Sequence, residues 1–120
     1  MSKMPKVIGN YSPVCVIENF AFTSGQLPIN PETNKIDGEG IVDQTRQAMN
    51  NLKTVLESEG FLLEDVLKTT VFLKDITDSS EFNTVYGTFF KKDFPARSAI
   101  EVGALPQGAL LEIEAIAYKK

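Results

Sequence analysis

Histidine is absent from this chain of 120 residues, and cysteine occurs once, as Cys15. Without histidine the chain lacks the usual general base near neutral pH and the commonest metal ligand. One cysteine excludes an intrachain disulfide and a zinc-binding thiolate cluster. Because Cys15 lies in an apolar run, we predict that its thiol is buried and inert. Any chemistry must therefore use carboxylate, guanidinium, hydroxyl and amide groups with bound water, and we predict no metal site.

An excess of positive charge and long apolar segments are also absent. The formal net charge is -4, which argues against a surface built to neutralise nucleic-acid phosphates. No apolar run approaches the length of a membrane span, and residues 1–10 lack the apolar core of a signal peptide. We therefore expect a soluble cytoplasmic protein without membrane or nucleic-acid partners.

The residues that are present have the composition of an ordinary globular domain. Apolar residues make up 42% of the chain and charged residues 23%, and no biased tract suggests disorder. A chain of this length has the usual size of one domain with one core. We predict a single domain over residues 1–120.

The first half of the chain predicts a hairpin, a loop and a helix. Two β-branched and aromatic runs, Val14–Ile17 and Phe20–Ser24, flank a two-residue polar turn and predict a hairpin. Residues 25–40 are rich in proline, asparagine and glycine and predict a loop. Apolar residues at helical spacing over Ile41–Glu59, followed by Gly60 as a stop, predict the first helix.

The second half predicts a helix between strands. The run Val66–Leu73 is typical of a largely buried strand. Asp78, with Glu81 three residues later, resembles a capping box and predicts the start of a second helix. Its apolar side chains extend to Phe90, and Phe94-Pro95 blocks continuation. Two further strands are predicted, Ala96–Val102 and Leu110–Tyr118.

The predicted order of elements is β-β-α-β-α-β-β. This order indicates an α+β fold, a mixed sheet with two helices on one face. The opposite face of such a sheet would leave apolar surface bare unless another subunit covered it. We therefore expect a homo-oligomer rather than a monomer.

Arg97, at the mouth of a predicted strand, is the strongest candidate for chemistry and is one of only two arginines. A guanidinium offers a rigid fork of donors that matches a planar carboxylate, which lysine does not reproduce. The same position also suits an arginine in a surface ion pair, and the sequence leaves both alternatives open. Arg46 lies inside the amphipathic helix, where we predict a solvated side chain.

Two acids alternate with apolar residues on the last predicted strand. Glu112 and Glu114 therefore point to one side, and Ile113 and Ala115 point to the other. If Ile113 faces the helices, the two carboxylates face a subunit boundary, where they could orient or deprotonate a water. A solvated strand face explains the same pattern.

Several other polar residues are weaker candidates. The turn at Ser24 and Gly25 could bring backbone N–H groups close to a ligand, although such turns are usually only turns. Tyr11 supplies a phenol just before the first strand, and Asn83 supplies a polar end on the second helix. Tyr86 lies on the apolar face of that helix and is predicted to be core.

Five motifs, taken in order, resemble the RidA (YjgF-like) family over nearly the whole chain. They are Gly9-Asn10-Tyr11-Ser12, Thr23-Ser24-Gly25-Gln26-Leu27-Pro28, Lys68-Thr69-Thr70-Val71-Phe72-Leu73-Lys74-Asp75, Phe94-Pro95-Ala96-Arg97-Ser98 and Glu112-Ile113-Glu114-Ala115-Ile116-Ala117. The resemblance implies a chorismate mutase-like fold and a homotrimer, with sheets packed into a central barrel and sites between subunits. It also implies hydrolysis of 2-aminoacrylate and related 2-imino acids to pyruvate or 2-ketobutyrate and ammonia, without a cofactor.

The resemblance also implies roles for matching residues. Arg97 looks like a clamp for the substrate carboxylate, and Glu112 looks like the acid that positions the attacking water. The residues that resemble pocket-lining positions are Tyr11, Ser24, Gly25, Asn83 and Pro106. Two positions depart from the family pattern: Ala99 stands where many members have cysteine, which argues against thiol chemistry there, and Asn10 replaces the usual proline.

Two other functions remain as alternatives to an imine deaminase. A regulatory module that binds a 2-keto acid or another small carboxylate without turnover would use the same Arg97. A ribonuclease or translation inhibitor, as attributed to some relatives, is disfavoured by the acidic charge and the missing histidines. The preferred imine, its physiological role and the choice between Glu112 and Glu114 stay open at this point.

Overall fold

The computed structural model describes residues 3–120. Its helices and strands are β1 Val14–Ile17, β2 Phe20–Thr23, β3 Ile29–Asn30, β4 Lys35–Ile36, α1 Ile41–Glu57, β5 Val66–Leu73, α2 Ser79–Gly87, β6 Ala96–Glu101 and β7 Leu111–Tyr118. Five strands form one mixed sheet in the order β1-β2-β7-β5-β6, in which only the β5–β6 pair is parallel. The predicted α+β fold, with two helices against one face of a mixed sheet, is confirmed.

The predicted loop over residues 25–40 contains a small hairpin, so that prediction was incomplete. Strands β3 and β4 pair in antiparallel fashion, with Ile29 opposite Ile36. The turn between them is closed by the N–H of Asn34, which donates to the carbonyl of Asn30, and Asn34 itself has a positive φ of 62°. Each strand has only two residues, which is too short to produce an alternating pattern in the sequence.

Helix α1 covers the sheet and ends where its sequence predicts a stop. Its apolar face includes Met49, Leu52 and Leu56, which are completely buried. After the helix, the N–H of Phe61 donates to the carbonyl of Leu56, and Gly60 has a φ of 83°. This left-handed residue and hydrogen bond form a Schellman-type end, which satisfies carbonyls that the helix leaves free.

The predicted capping box of helix α2 is wrong. The side chain of Asp78 makes no capping hydrogen bond. Asp75 instead accepts a 2.9 Å hydrogen bond from the N–H of Thr77, which begins a 3₁₀ turn that leads into the helix. The helix ends at Gly87, so Phe90 lies beyond it. No helix within residues 3–120 is long and apolar enough to cross a membrane.

The main sheet has one covered face and one open face. Ala21, Val71 and Ile113 point towards the helices and are completely buried, so Glu112 and Glu114, which alternate with Ile113, lie on the opposite face. Alternate residues point the other way, and Phe22 is 43% exposed and Ile116 is 36% exposed in the single chain. The open face therefore carries apolar side chains that no element of the described chain covers.

Cys15 is exposed, so the prediction of a buried thiol was wrong. Cys15 pairs with Phe22 across the β1–β2 hairpin, and both residues therefore point towards the open face. Strand β1 also lies at the edge of the sheet. The apolar run around Cys15 suggested burial because apolar runs are typical of strands with both faces covered.

Candidate active site

A cleft of about 620 Å³ lies beside the end of strand β2. Its walls come from the N-terminal segment, the turn after β2, the turn at Pro106 and the start of β7. The predicted site residues that line it are Tyr11, Ser24, Gly25, Pro106 and Glu112. Residues from four separate parts of the chain therefore meet in one cleft.

Hydrogen bonds fix the two segments that form the cleft walls. The Ser24 hydroxyl donates to the carbonyl of Ser12 at 2.6 Å, which ties the N-terminal segment to the end of β2. On the other side, the buried amide of Asn51 on helix α1 donates to the carbonyls of Leu27 and Ile29, at 2.9 and 2.8 Å. The turn after β2 is therefore held by hydrogen bonds at both of its ends.

Gly25 allows the Glu112 side chain to lie directly against the backbone. A Cβ atom at position 25 would lie 2.6 Å from Cδ of Glu112, much closer than non-bonded carbons approach. Burial raises the pKa of the Glu112 carboxyl above its usual value, and the charge of the nearby Glu114 raises it further. A carboxylate with a raised pKa in a cleft is suited to accept a proton from water.

Arg97 and Asn83 lie in a different, smaller cleft of about 420 Å³, between helix α2 and strand β6. The guanidinium carbon of Arg97 lies 5.0 Å from the ring centre of Tyr86 and 5.5 Å from that of Phe82. Within residues 3–120 the single ion pair joins Arg46 to Asp43, so Arg97 does not form the surface ion pair that its position also suited.

The register of the sheet explains why the two clefts are separate. Arg97 lies beside Thr69 on β5, and Glu112 lies beside Phe72 on the same strand. Thr69 and Phe72 are three residues apart, and successive side chains on a strand alternate between faces. Arg97 therefore points to the helix-covered face, while Glu112 points to the open face. In one chain the two predicted residues therefore lie in separate clefts.

Sequence reasoning missed some residues at these clefts. Tyr86 is buried as predicted, but its ring also contacts Arg97. The sequence signal for this second role was a polar hydroxyl on an otherwise apolar helix face. Lys6 and Ile8 line the larger cleft, although their segment has no helical or strand pattern. Gln107, beside Pro106, also lines it and has a positive φ of 57°. Within residues 3–120, no three acidic, histidine or cysteine side chains form a group that could hold a metal ion.

Comparison with known proteins identifies relatives over almost the full chain. A family profile described as Endoribonuclease L-PSP matches residues 1–119. A RutC family protein of Pyrococcus horikoshii is 50% identical over 116 residues, which are 97% of this chain and 92% of the relative. The 2-iminobutanoate/2-iminopropanoate deaminase of Escherichia coli is 40% identical over 119 residues, with 97% of this chain and 92% of the relative covered.

Solved structures agree with the sequence comparisons. The YjgF gene product of Escherichia coli has a TM-score of 0.94 and 40% identity, with 98% of this chain and 94% of that chain covered. Escherichia coli TdcF, solved with bound serine, has a TM-score of 0.94 and 36% identity at the same coverage. The resemblance that the five motifs indicate is thereby confirmed. This chain belongs to the Endoribonuclease L-PSP family, which includes the YjgF and RidA proteins.

Proposed function

We propose that this protein is an imine deaminase that hydrolyses 2-imino acids derived from 2-aminoacrylate to 2-keto acids and ammonia. The observation that carries the proposal is the half-buried Glu112 carboxyl, which lies against Gly25 in the larger cleft with a raised pKa. The relative named as a 2-iminobutanoate/2-iminopropanoate deaminase supports this activity. Serine bound to TdcF supports a ligand with a carboxylate and a nitrogen on the adjacent carbon.

The proposed site is assembled between subunits of a homotrimer. Arg97 and Glu112 point to opposite faces of one sheet, so one chain cannot present both to one small substrate. The open face carries exposed apolar residues, among them Phe22, Ile116 and Tyr118, and a second copy would remove them from water. Arg97 lies on β6, the exposed strand at the edge of the sheet. In the proposed trimer the edge strand of the copy lies beside the cleft that holds Glu112 and supplies Arg97.

In the proposed reaction, the enamine first tautomerises to the imine. The Arg97 guanidinium binds the substrate carboxylate through two N–H groups and fixes the position of the imine carbon. Glu112 accepts a proton from a water as the water oxygen bonds to that carbon, and the proton then goes to the nitrogen. The new hydroxyl of this carbinolamine then gives its proton, through Glu112, to the amino group, the C–N bond breaks, ammonia leaves and a keto group forms. Imine and water together supply every atom of the keto acid and ammonia, so no cofactor is required.

The direct test generates 2-aminoacrylate with a pyridoxal-phosphate dehydratase and measures ammonia and pyruvate with and without this protein. Faster release that saturates with substrate supports the deaminase. If release is unchanged but 2-ketobutyrate binds, the protein is the regulatory module that remains the main alternative. Light scattering tests the assembly, and a monomer mass at micromolar concentration would contradict it.

The description of the family profile also raises a ribonuclease activity. The chain has no histidine and a net charge of -4, and both features disfavour RNA binding and the common acid–base chemistry of RNA cleavage. Cleavage of RNA by nuclease-free preparations, abolished by Glu112→Gln, would support that activity instead.

A further inference from the structure

Tyr86 on helix α2 lies between the buried Thr69 and the exposed strand that carries Arg97. Its hydroxyl shares a 2.8 Å hydrogen bond with the Thr69 hydroxyl, which is the one hydrogen bond between two buried side chains within residues 3–120. Thr69 is itself the neighbour of Arg97 across the β5–β6 pair. The Tyr86 hydroxyl and the backbone of Arg97 therefore both lie next to Thr69.

The ring of Tyr86 is held on both sides by other aromatic rings. Phe82 lies one helical turn before it, at a centroid distance of 5.2 Å, and Phe90 follows at 5.0 Å. With its hydroxyl bonded to Thr69 and its ring packed between two neighbours, Tyr86 has a fixed orientation. A phenylalanine at this position would fill nearly the same space. The tyrosine hydroxyl, in contrast, needs a hydrogen-bond partner in the core, and Thr69 supplies it.

The Arg97 side chain packs against the fixed ring of Tyr86. Every residue of strand β6 is exposed in the single chain, and a long arginine side chain on such a strand would otherwise sample many rotamers. The guanidinium lies over the faces of Tyr86 and Phe82, where the negative potential of the rings attracts a cation. The aromatic rings accept no conventional hydrogen bond from the guanidinium, so its fork of N–H donors can still bind a carboxylate.

We infer that Tyr86 is a positioning residue, whose ring holds the Arg97 guanidinium in the orientation that binds the substrate carboxylate. The inference rests on the proposed function for the identity of the carboxylate, but the contact of ring and guanidinium does not depend on turnover. A guanidinium that is already oriented loses less side-chain freedom when the ligand binds. Loss of the ring should therefore weaken carboxylate binding more than it slows the chemical step.

Three variants separate positioning from packing. Tyr86→Leu removes the ring, and Tyr86→Phe keeps the ring and removes the hydroxyl. Phe90→Leu removes a ring that packs on Tyr86, whereas the rings under the Arg97 guanidinium are those of Tyr86 and Phe82. All three should lower the unfolding temperature, because each loses core packing or leaves the Thr69 hydroxyl unpaired. Tyr86→Leu should raise KM about tenfold with kcat within about twofold, whereas Tyr86→Phe and Phe90→Leu should stay within about threefold of the wild-type KM. A KM that follows the unfolding temperature across all three variants would overturn the inference.

Two further measurements keep this test independent of the proposed function. If the wild-type protein releases no ammonia, the Kd for 2-ketobutyrate from calorimetry replaces KM in the same comparison. The arginine side-chain Nε–H resonances test the contact without any ligand, and with two arginines Arg46→Lys assigns them. The Arg97 resonance should be shifted upfield by the rings in the wild type and in Tyr86→Phe, and should move towards its ordinary position in Tyr86→Leu, which keeps only the Phe82 ring. An Arg97 resonance that is the same in Tyr86→Leu as in the wild type would overturn the inference.

Discussion

Arg97 and Glu112 lie on opposite faces of the five-stranded sheet, beside positions of β5 that are three residues apart. Arg97 lies over aromatic rings of helix α2, and Glu112 lies against Gly25 in the larger cleft. The proposed deaminase needs a carboxylate clamp and a water-positioning acid around one small substrate. In the proposed trimer the boundary between two subunits is therefore part of the active site.

Arg97→Lys should lose most of the deaminase activity while the fold survives. Lysine keeps the charge but loses the planar two-point grip and the stacking on the rings, so we expect kcat/KM to fall about ten- to a hundredfold. Arg46→Lys is the matched control, because Arg46 is 55% exposed and pairs only with Asp43. Kinetics and thermal unfolding on the same preparations check this. Full activity in a folded Arg97→Lys variant would remove the clamp from the mechanism.

Glu112→Gln should slow turnover far more than it weakens ligand binding. The amide keeps the shape of the side chain but cannot accept the proton from water, so kcat should fall about 10²- to 10⁴-fold. Steady-state kinetics and calorimetry with 2-ketobutyrate separate the two effects. Glu114→Gln, which changes the neighbouring acid of the same cleft, should cause a smaller loss. The reverse order of losses would identify Glu114 as the acid that activates water.

Gly25→Ala should remove activity without unfolding the protein. The new Cβ would lie 2.6 Å from Cδ of Glu112, and the flexible end of that side chain can move away. Displacement of the acid by about 1 Å is expected to cost on the order of a hundredfold in kcat. Gly103→Ala is the control, since a Cβ there has no atom within 4 Å. Wild-type kinetics for Gly25→Ala would show that the position of Glu112 does not matter.

The pH dependence of activity should report the raised pKa of Glu112. The carboxylate is the active form, so kcat/KM should decline as pH falls through that pKa, which lies above the ordinary glutamate value of about 4.3. For stability, a raised carboxyl pKa gives a contribution that is complete below the unfolded-state pKa and is lost as pH rises through the folded-state pKa. Glu112→Gln should therefore unfold at a higher temperature than the wild type near pH 7, and the difference should vanish in acid. An acid limb at or below the ordinary value would contradict this.

Local and periodic features of the fold could be predicted from the sequence. The helical spacing before Gly60 identified α1 and its end, and alternation on β7 placed Glu112 and Glu114 on the face opposite Ile113. Where two nearby residues could each cap the same helix, the sequence did not show which one does. Asp75 and Asp78 both precede residues that they could cap, and the structure uses Asp75. The burial of Cys15 was misjudged because a sequence does not state whether a sheet has one covered face or two.

The individual residues of the candidate site could also be named from the sequence, but their arrangement could not. Which face of the sheet Arg97 occupies depends on the register between β5 and β6, and a shift of one residue would reverse it. The contact of Arg97 with Tyr86 joins a helix to a strand, and no local pattern encodes it. Gly25 was predicted for its backbone N–H groups, whereas the structure also uses the space that its missing side chain leaves for Glu112.

The most direct test of the shared site combines two impaired variants in one oligomer. Arg97→Lys and Glu112→Gln chains are co-expressed at equal levels with different tags, and mixed oligomers are purified and assayed for 2-imino acid hydrolysis. If Arg97 of one subunit acts with Glu112 of another, each mixed trimer should have both wild-type residues at one of its three sites, or about a third of the sites. A site shared between subunits should give activity near that fraction of the wild type, well above either variant alone. Activity no higher than that of the separate variants would contradict a site built from two subunits.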